Sequence, residues 1–121
     1  MKTIVITVLA IMALSLGVVS AQDNREIKKI EFLISSVENL QGTKFIRNGS
    51  EYNGKEAADH LRMKLNNVGK KVQSAEDFIK LCASKSYISG RPYMIRTSDG
   101  NTIKSEEYFR EKLREYNSTM K

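Results

Sequence analysis

The sequence predicts an α+β domain that is mostly helical, with about four short helices and one or two small antiparallel strand pairs. Apolar residues recur at helical spacing in four segments, and a residue that favours a helix N-cap precedes each of them. Between these segments lie two extended apolar stretches, each next to a glycine-containing turn. The sequence has no internal repeat and no low-complexity segment, so we expect one small domain.

The N-terminal segment is predicted to direct export. Lys2 is followed by an uncharged apolar run from Ile4 to Val19 and then by small residues. This pattern is typical of a secretory signal peptide, with cleavage after Ala21. A retained membrane anchor is the alternative, but the run is short for the ~20 residues that span a bilayer. We therefore expect a signal peptide over 1–21, a globular domain over 22–121, no retained transmembrane segment, and a periplasmic or secreted protein.

The first predicted helix runs from about Asn24 to Leu40. Asp23 would be its N-cap, with Glu26 three residues later as the second half of a capping box, and Gly42 would end it. Its apolar stripe consists of Ile27, Ile30, Leu33, Ile34, Val37 and Leu40.

A hairpin and a second helix follow. Phe45 and Ile46 suit a short strand, and Asn48-Gly49 is a strong turn signal because both residues tolerate positive φ. Asn53-Gly54 is interpreted as a second turn that leads into a helix from Lys55 to Leu65, capped by Asn53 and Glu56. The segment from Asn66 to Gln73 is interpreted as a polar link.

The C-terminal half is predicted to hold a third helix, a second strand pair and a fourth helix. Ser74 would cap the third helix, whose stripe is Ala75, Phe78, Ile79 and Cys82 with Leu81 beside it. The serine-rich loop 84–90 would end it. An extended run, 93–97, turns back through 98–101 to Thr102 and Ile103. Ser105 would then cap a last helix with Tyr108, Phe109, Leu113 and Tyr116 on its core face.

Charge and cysteine content limit the functional classes. The chain has 20 Lys+Arg and 14 Asp+Glu; without Lys2, 19 basic and 14 acidic residues remain, a net charge of +5. The basic residues are scattered, which argues against nucleic acid as a partner. Cys82 is the only cysteine, which excludes an internal disulfide, and its apolar helical face favours a buried, inert thiol. One histidine and one cysteine give no zinc-ligand spacing, so we expect no metal and no cofactor.

Glu56 and His60, four residues apart, share a helix face. The structural interpretation makes Glu56 a capping carboxylate. It makes His60 a half-buried imidazole that is hydrogen-bonded to backbone or to a residue such as Tyr52. The functional interpretation makes His60 a general base or one wall of a polar pocket. A serine nucleophile among Ser84, Ser86 and Ser89 is conceivable, but no G-x-S-x-G elbow supports it. No catalytic residue is assigned, and His60, Glu56 and Ser86 are weak candidates only.

Arg47-Asn48-Gly49 is the other candidate site. The guanidinium and the N–H groups of the turn could hold a carboxylate or a phosphate. Such a tripeptide is more often a turn that carries a solvated cation. Both interpretations stay open.

Three segments, 45–49, 56–64 and 83–93, resemble, in the same order, a family of small exported bacterial proteins of unknown function to which enterobacterial YfeK belongs. The resemblance implies an exported protein, and it implies no activity. It directs attention to five ligand-binding candidates within these segments: Arg47, Asn48, His60, Ser89 and Tyr93.

Two functional hypotheses remain. The favoured one is a non-enzymatic envelope protein that binds an anionic ligand, a glycan or a protein partner. The alternative is a small hydrolase or transferase that uses His60 with a loop serine.

Overall fold

The computed structural model describes residues 24–120, so the predicted signal peptide and the predicted N-cap Asp23 lie outside the described residues. The described part is an α+β fold that is mostly helical, as predicted. Its elements are α1 (24–38), β1 (Lys44–Arg47), β2 (Ser50–Tyr52), α2 (Gly54–Val68) with a 3₁₀ turn (Gly69–Lys71), α3 (Ala75–Cys82), β3 (Met94–Arg96), β4 (Thr102–Lys104) and α4 (Ser105–Thr119). None of the helices in this part is long and apolar enough to cross a membrane.

The two predicted strand pairs form one antiparallel sheet in the order β2-β1-β3-β4. Each outer pair is a hairpin, and β1 pairs with β3 to join them, with Phe45 opposite Ile95. Both side chains are buried and face the core. Asn48 (φ 52°) and Gly49 (φ 83°) both take positive φ, which confirms the predicted turn between β1 and β2.

The helices bury one continuous core against this sheet. α2 and α4 contact the strands, and α3 packs against both of these helices. The core contains most of the predicted apolar stripes; Ile27 is an exception, because it is 48% exposed. The largest fully buried side chains are Leu33, Val37, Phe78, Ile79, Cys82, Ile95 and Phe109.

Two predicted caps are confirmed. Asn53 accepts a hydrogen bond of 2.8 Å from Glu56 N, and Glu56 Oε1 accepts one of 3.0 Å from Asn53 N. Ser74 Oγ accepts from Asp77 N at the start of α3. The carboxylate of Glu26 accepts a 2.8 Å hydrogen bond from Ala75 N, so this residue of α1 also stabilises the N-terminus of α3.

Three local predictions are wrong. Ser105 is not an N-cap but the first residue of α4, buried, because its N–H donates to the carbonyl of Tyr93 at 2.8 Å. Gly54 is the first residue of α2 rather than part of a turn, because it lies against the carbonyl of Val37 at the end of α1. The segment 66–73 is not simply a link, since α2 continues to Val68 and a 3₁₀ turn follows.

Candidate functional site

A cavity of about 310 Å³ lies where α2 and α4 meet the sheet. Its walls are mostly apolar, and four cationic or aromatic polar side chains are part of its lining. These four are Arg47, Tyr52, His60 and Tyr93, and the apolar wall consists of Phe45, Ile46, Ala57, Leu61, Met94 and Phe109. Glu56, Asp59 and Ser105 complete the lining.

The local structure explains why these side chains converge. Arg47 lies two residues after the inward-facing Phe45 on β1, and Tyr52 is paired with Phe45 across the hairpin. Residues two apart on a strand share a face, as do directly opposed residues. On α2, His60 lies three residues after Ala57, which also lines the cavity. The hairpin and the helix therefore present Arg47, Tyr52 and His60 to the same space.

Arg47 is held between an aromatic ring and an imidazole. Its Nη2 donates a 3.0 Å hydrogen bond to the hydroxyl of Tyr52, and its guanidinium carbon lies 5.1 Å from the centre of that ring. Its Nη1 lies 3.3 Å from both ring nitrogens of His60. Among residues 24–120, no carboxylate forms an ion pair with Arg47. The hydrogen bond from Arg47 lowers the pKa of Tyr52.

His60 is a neutral imidazole at physiological pH. Partial burial, and to a smaller extent the charges of Arg47 and Lys64, lower its pKa to about 4. A neutral ring carries a hydrogen on one nitrogen, so only the other can accept a hydrogen bond from Arg47. The ring also meets Tyr93 edge to face, with 6.0 Å between centroids. His60 is half-buried, as predicted, but its neighbour is Arg47 rather than backbone or Tyr52.

Behind Tyr93 lies a buried lysine that the sequence analysis missed. Lys64 is 6% exposed, and its Nζ donates to the hydroxyl of Tyr93 at 2.9 Å and to the carbonyl of Lys85 at 3.2 Å. The ammonium also lies 4.3 Å and 4.7 Å from the ring centres of Tyr87 and Tyr93. Burial lowers its pKa. Lys64 lies four residues after His60 on the same helix face, but no local signal in the sequence marks it as buried.

The structure brings together three of the five predicted ligand-binding candidates. Arg47, His60 and Tyr93 line the cavity. Asn48 and Ser89 instead bond to each other, with Ser89 Oγ donating to Asn48 Oδ1 at 2.5 Å. This bond ties the β1–β2 turn to the loop 84–92, so both residues have a structural role there.

The weak catalytic candidates do not assemble around His60. Glu56 lines the cavity, but its carboxylate caps α2. Ser86 is buried and hydrogen-bonds Asn48 and the backbone of its own loop, and Ser84 donates to the carbonyl of Ile79. In the part of the chain that is described, no serine forms a hydrogen bond with His60.

The thiol of Cys82 is also unsuited to chemistry in the cavity. Cys82 is fully buried, as predicted, and burial raises its pKa to about 11. Within 24–120, no three His, Cys, Asp or Glu side chains come close enough to hold a metal ion.

Comparison with known proteins identifies relatives. Residues 24–117 match a family described as "Family of unknown function (DUF5329)". The chain is 37% identical over 93 residues to "Uncharacterized protein YfeK" of Salmonella typhimurium. The aligned residues make up 77% of each of the two chains. No solved structure matches it. The matched region includes the whole of the cavity, and the protein belongs to the DUF5329 family of unknown function.

Proposed function

We propose that this protein is a non-enzymatic binding protein whose cavity holds a small anionic molecule, with Arg47 as the group that receives the negative charge. The observation that carries the proposal is the position of Arg47: its guanidinium lines a mostly apolar cavity and has no carboxylate partner among the described residues. A partly desolvated cation without a counter-charge is a site that a bound anion stabilises.

The charges around the cavity support an anion rather than a cation. The positive charges of Arg47 and Lys64 both lower the pKa of His60, and the charge of Arg47 also lowers that of Lys64. A bound anion would offset their mutual repulsion. The two carboxylates of the lining are already engaged, because Glu56 caps α2 and Asp59 pairs with Lys55 at 3.0 Å and with Arg62 at 3.7 Å.

A binding role also fits better than catalysis. An imidazole whose pKa is about 4 is a weak general base near neutral pH. The loop serines are hydrogen-bonded elsewhere, so the hydrolase or transferase alternative has no activated nucleophile among the described residues.

The test is a titration of the purified protein with benzoate and, separately, with phenyl phosphate, followed by NMR chemical shifts. We expect saturable shifts at residues of the cavity with at least one of these anions. Arg47→Gln should weaken that binding about tenfold or more, which corresponds to roughly 1.4 kcal/mol. Arg91→Gln is the matched control, because Arg91 is exposed, unpaired among the described residues and outside the cavity.

Two results would overturn the proposal. One is the absence of saturable shifts with both anions. The other is equal weakening by Arg47→Gln and Arg91→Gln, since that would indicate attraction by net charge rather than a site.

We also propose that the protein is exported to the periplasm or beyond, with residues 1–21 as a cleaved signal peptide. The apolar run from Ile4 to Val19 and the small residues before Gln22 support this proposal. Mass spectrometry of the intact protein from a periplasmic fraction should find a chain that begins at Gln22. A full-length chain confined to the cytoplasm would contradict it.

A further inference from the structure

We propose that the ligand of the cavity is a compact monocarboxylate, with one carboxylate group and a small apolar body. This inference rests on the proposed function and specifies the chemical class of the anion. Three properties of the cavity lead to it: the number of accessible cations, the shape of the cation, and the size and polarity of the remaining space.

The cavity offers one cationic group to a ligand. Arg47 is part of its lining, whereas Lys64 is not. The ammonium of Lys64 is directed to the hydroxyl of Tyr93 and the carbonyl of Lys85, and two aromatic rings cover it. His60 contributes no charge near neutral pH. A dianion such as a phosphate monoester would therefore bring a second negative charge into an apolar space without a partner, which is costly.

The geometry of the cation suits a carboxylate. A guanidinium has five N–H donors in a plane, and parallel N–H groups can engage both oxygens of one carboxylate. Contacts with Tyr52 and His60 involve Nη2 and Nη1, so donors remain for a ligand. The same two contacts fix the plane of the guanidinium, which reduces the entropy lost when a ligand binds.

The remaining space suits a small apolar body. A cavity of about 310 Å³ is at the lower limit of the volumes of ligand sites. Most of its wall is apolar, and Phe45, Ile46, Ala57, Leu61, Met94 and Phe109 are the apolar residues that line it. A sugar would place several hydroxyl groups against these side chains without hydrogen-bond partners, which disfavours a glycan inside the cavity.

The test compares four probes at the same pH and salt concentration by NMR titration or calorimetry. Benzoate has the charge and the apolar body, benzamide lacks the charge, acetate lacks the body, and phenyl phosphate carries additional negative charge. We expect benzoate to bind about tenfold more tightly than each of the other three. Arg47→Gln should reduce the affinity for benzoate to that for benzamide, and Arg91→Gln should leave the order unchanged.

The outcomes separate this inference from the function on which it rests. If phenyl phosphate binds more tightly than benzoate and depends on Arg47, the monocarboxylate class is wrong although the anion site stands. If acetate binds as tightly as benzoate, the apolar body of the ligand contributes nothing to binding, and the monocarboxylate class with an apolar body is again wrong. If benzamide binds the wild type as tightly as benzoate does, and phenyl phosphate binds no more tightly than either, both proposals fail. If Arg47→Gln does not fold, Arg47→Lys is the second variant. We expect it to lose about tenfold in affinity for benzoate, because lysine lacks the planar guanidinium with its parallel N–H donors.

Discussion

The ammonium of Lys64 donates a 2.9 Å hydrogen bond to the hydroxyl of Tyr93, and this buried contact connects the interior to the candidate site. The ring of Tyr93 lines the cavity, while Lys64 lies behind it without a carboxylate partner in the described part of the chain. A hydroxyl, a carbonyl and two aromatic faces replace the water that the ammonium loses. Lys64 therefore positions Tyr93 rather than contacting a ligand.

Shortening Lys64 should destabilise the fold more than removing its charge alone. Lys64→Ala leaves Tyr93 and the carbonyl of Lys85 without their donor and opens a gap beside them. We expect it to lower the free energy of unfolding by about 2 kcal/mol. Lys64→Met leaves the same two acceptors without a donor, but it keeps most of the volume and removes a desolvated charge, so its cost should be smaller, about 1 kcal/mol. Urea denaturation measures both variants.

The matched control for these variants is Lys80→Ala. Lys80 is an exposed lysine on α3, and surface substitutions of this kind usually change stability by no more than about 0.5 kcal/mol. If Lys64→Ala unfolds at the same urea concentration as Lys80→Ala, the buried contacts of Lys64 contribute nothing to stability.

His60 should make the stability of the protein depend on pH between about 6.5 and 4. Folding lowers the pKa of His60 from 6.5 to about 4, so in this range the unfolded chain binds a proton that the folded chain does not. Stability must therefore fall as pH falls through this range, and the effect levels off below the folded pKa. The pKa difference corresponds to roughly 3 kcal/mol, and partial exposure of the ring reduces the expected loss to about 1–2 kcal/mol.

The measurement is urea denaturation of the wild type and of His60→Gln at several pH values from neutral to acidic. Carboxylates that titrate in the same range affect both proteins, so the difference between the two curves isolates His60. We expect the wild type to lose stability relative to the variant as the solution becomes acidic. Parallel curves would mean that the folded protein does not lower the pKa of His60.

Local signals in the sequence were sufficient for most of the helices and both hairpins. The capping box of Asn53 and Glu56 involves neighbours in the chain, so its residues identify it without tertiary information. The same holds for the Asn48-Gly49 turn. Ser105 was misassigned because its N–H bonds the distant carbonyl of Tyr93, a contact that no local pattern reveals.

The parts of the site that the sequence could not indicate depend on contacts between residues that are far apart in the chain. The pairing of β1 with β3 places Ile46 opposite Met94, which is far away in the sequence, and both of these side chains line the cavity. Arg47, His60 and Tyr93 were candidates from their segments, but their convergence depends on this pairing. Lys64 was missed because lysine is rarely buried, and its burial depends on Tyr93 and on the loop that contains Lys85.

Cys82 should be unreactive in the folded protein. Its side chain is fully buried, and a pKa raised to about 11 leaves little thiolate for reaction near neutral pH. We expect a thiol reagent such as Ellman's reagent to label it rapidly in concentrated urea but only at the rate of unfolding in buffer. Rapid labelling of the folded protein would show that the thiol is accessible.

Among the glycines of residues 24–120, Gly54 should tolerate substitution least, because it lies against the backbone at the end of α1. A Cβ atom at this position would lie 2.3 Å from the carbonyl oxygen of Val37 and 3.2 Å from those of Glu38 and Leu40. These are backbone atoms at and beyond the end of α1, so the overlap with the Cβ atom is removed only if α1 and α2 move apart. We expect Gly54→Ala to cost about 2–3 kcal/mol of unfolding free energy, as other overpacked sites do.

Gly90→Ala separates this steric effect from the general effect of replacing glycine. Gly90 has a φ of +73°, and a Cβ atom there would meet nothing within 4 Å, so its cost should come from the backbone alone, about 1 kcal/mol. Urea denaturation of both variants gives the comparison. A loss at Gly54 that is no larger than the loss at Gly90 would mean that α1 can move away from α2 at little cost. The larger loss at Gly54 would instead establish that the contact between α1 and α2 fixes the start of the helix that carries His60 and Lys64.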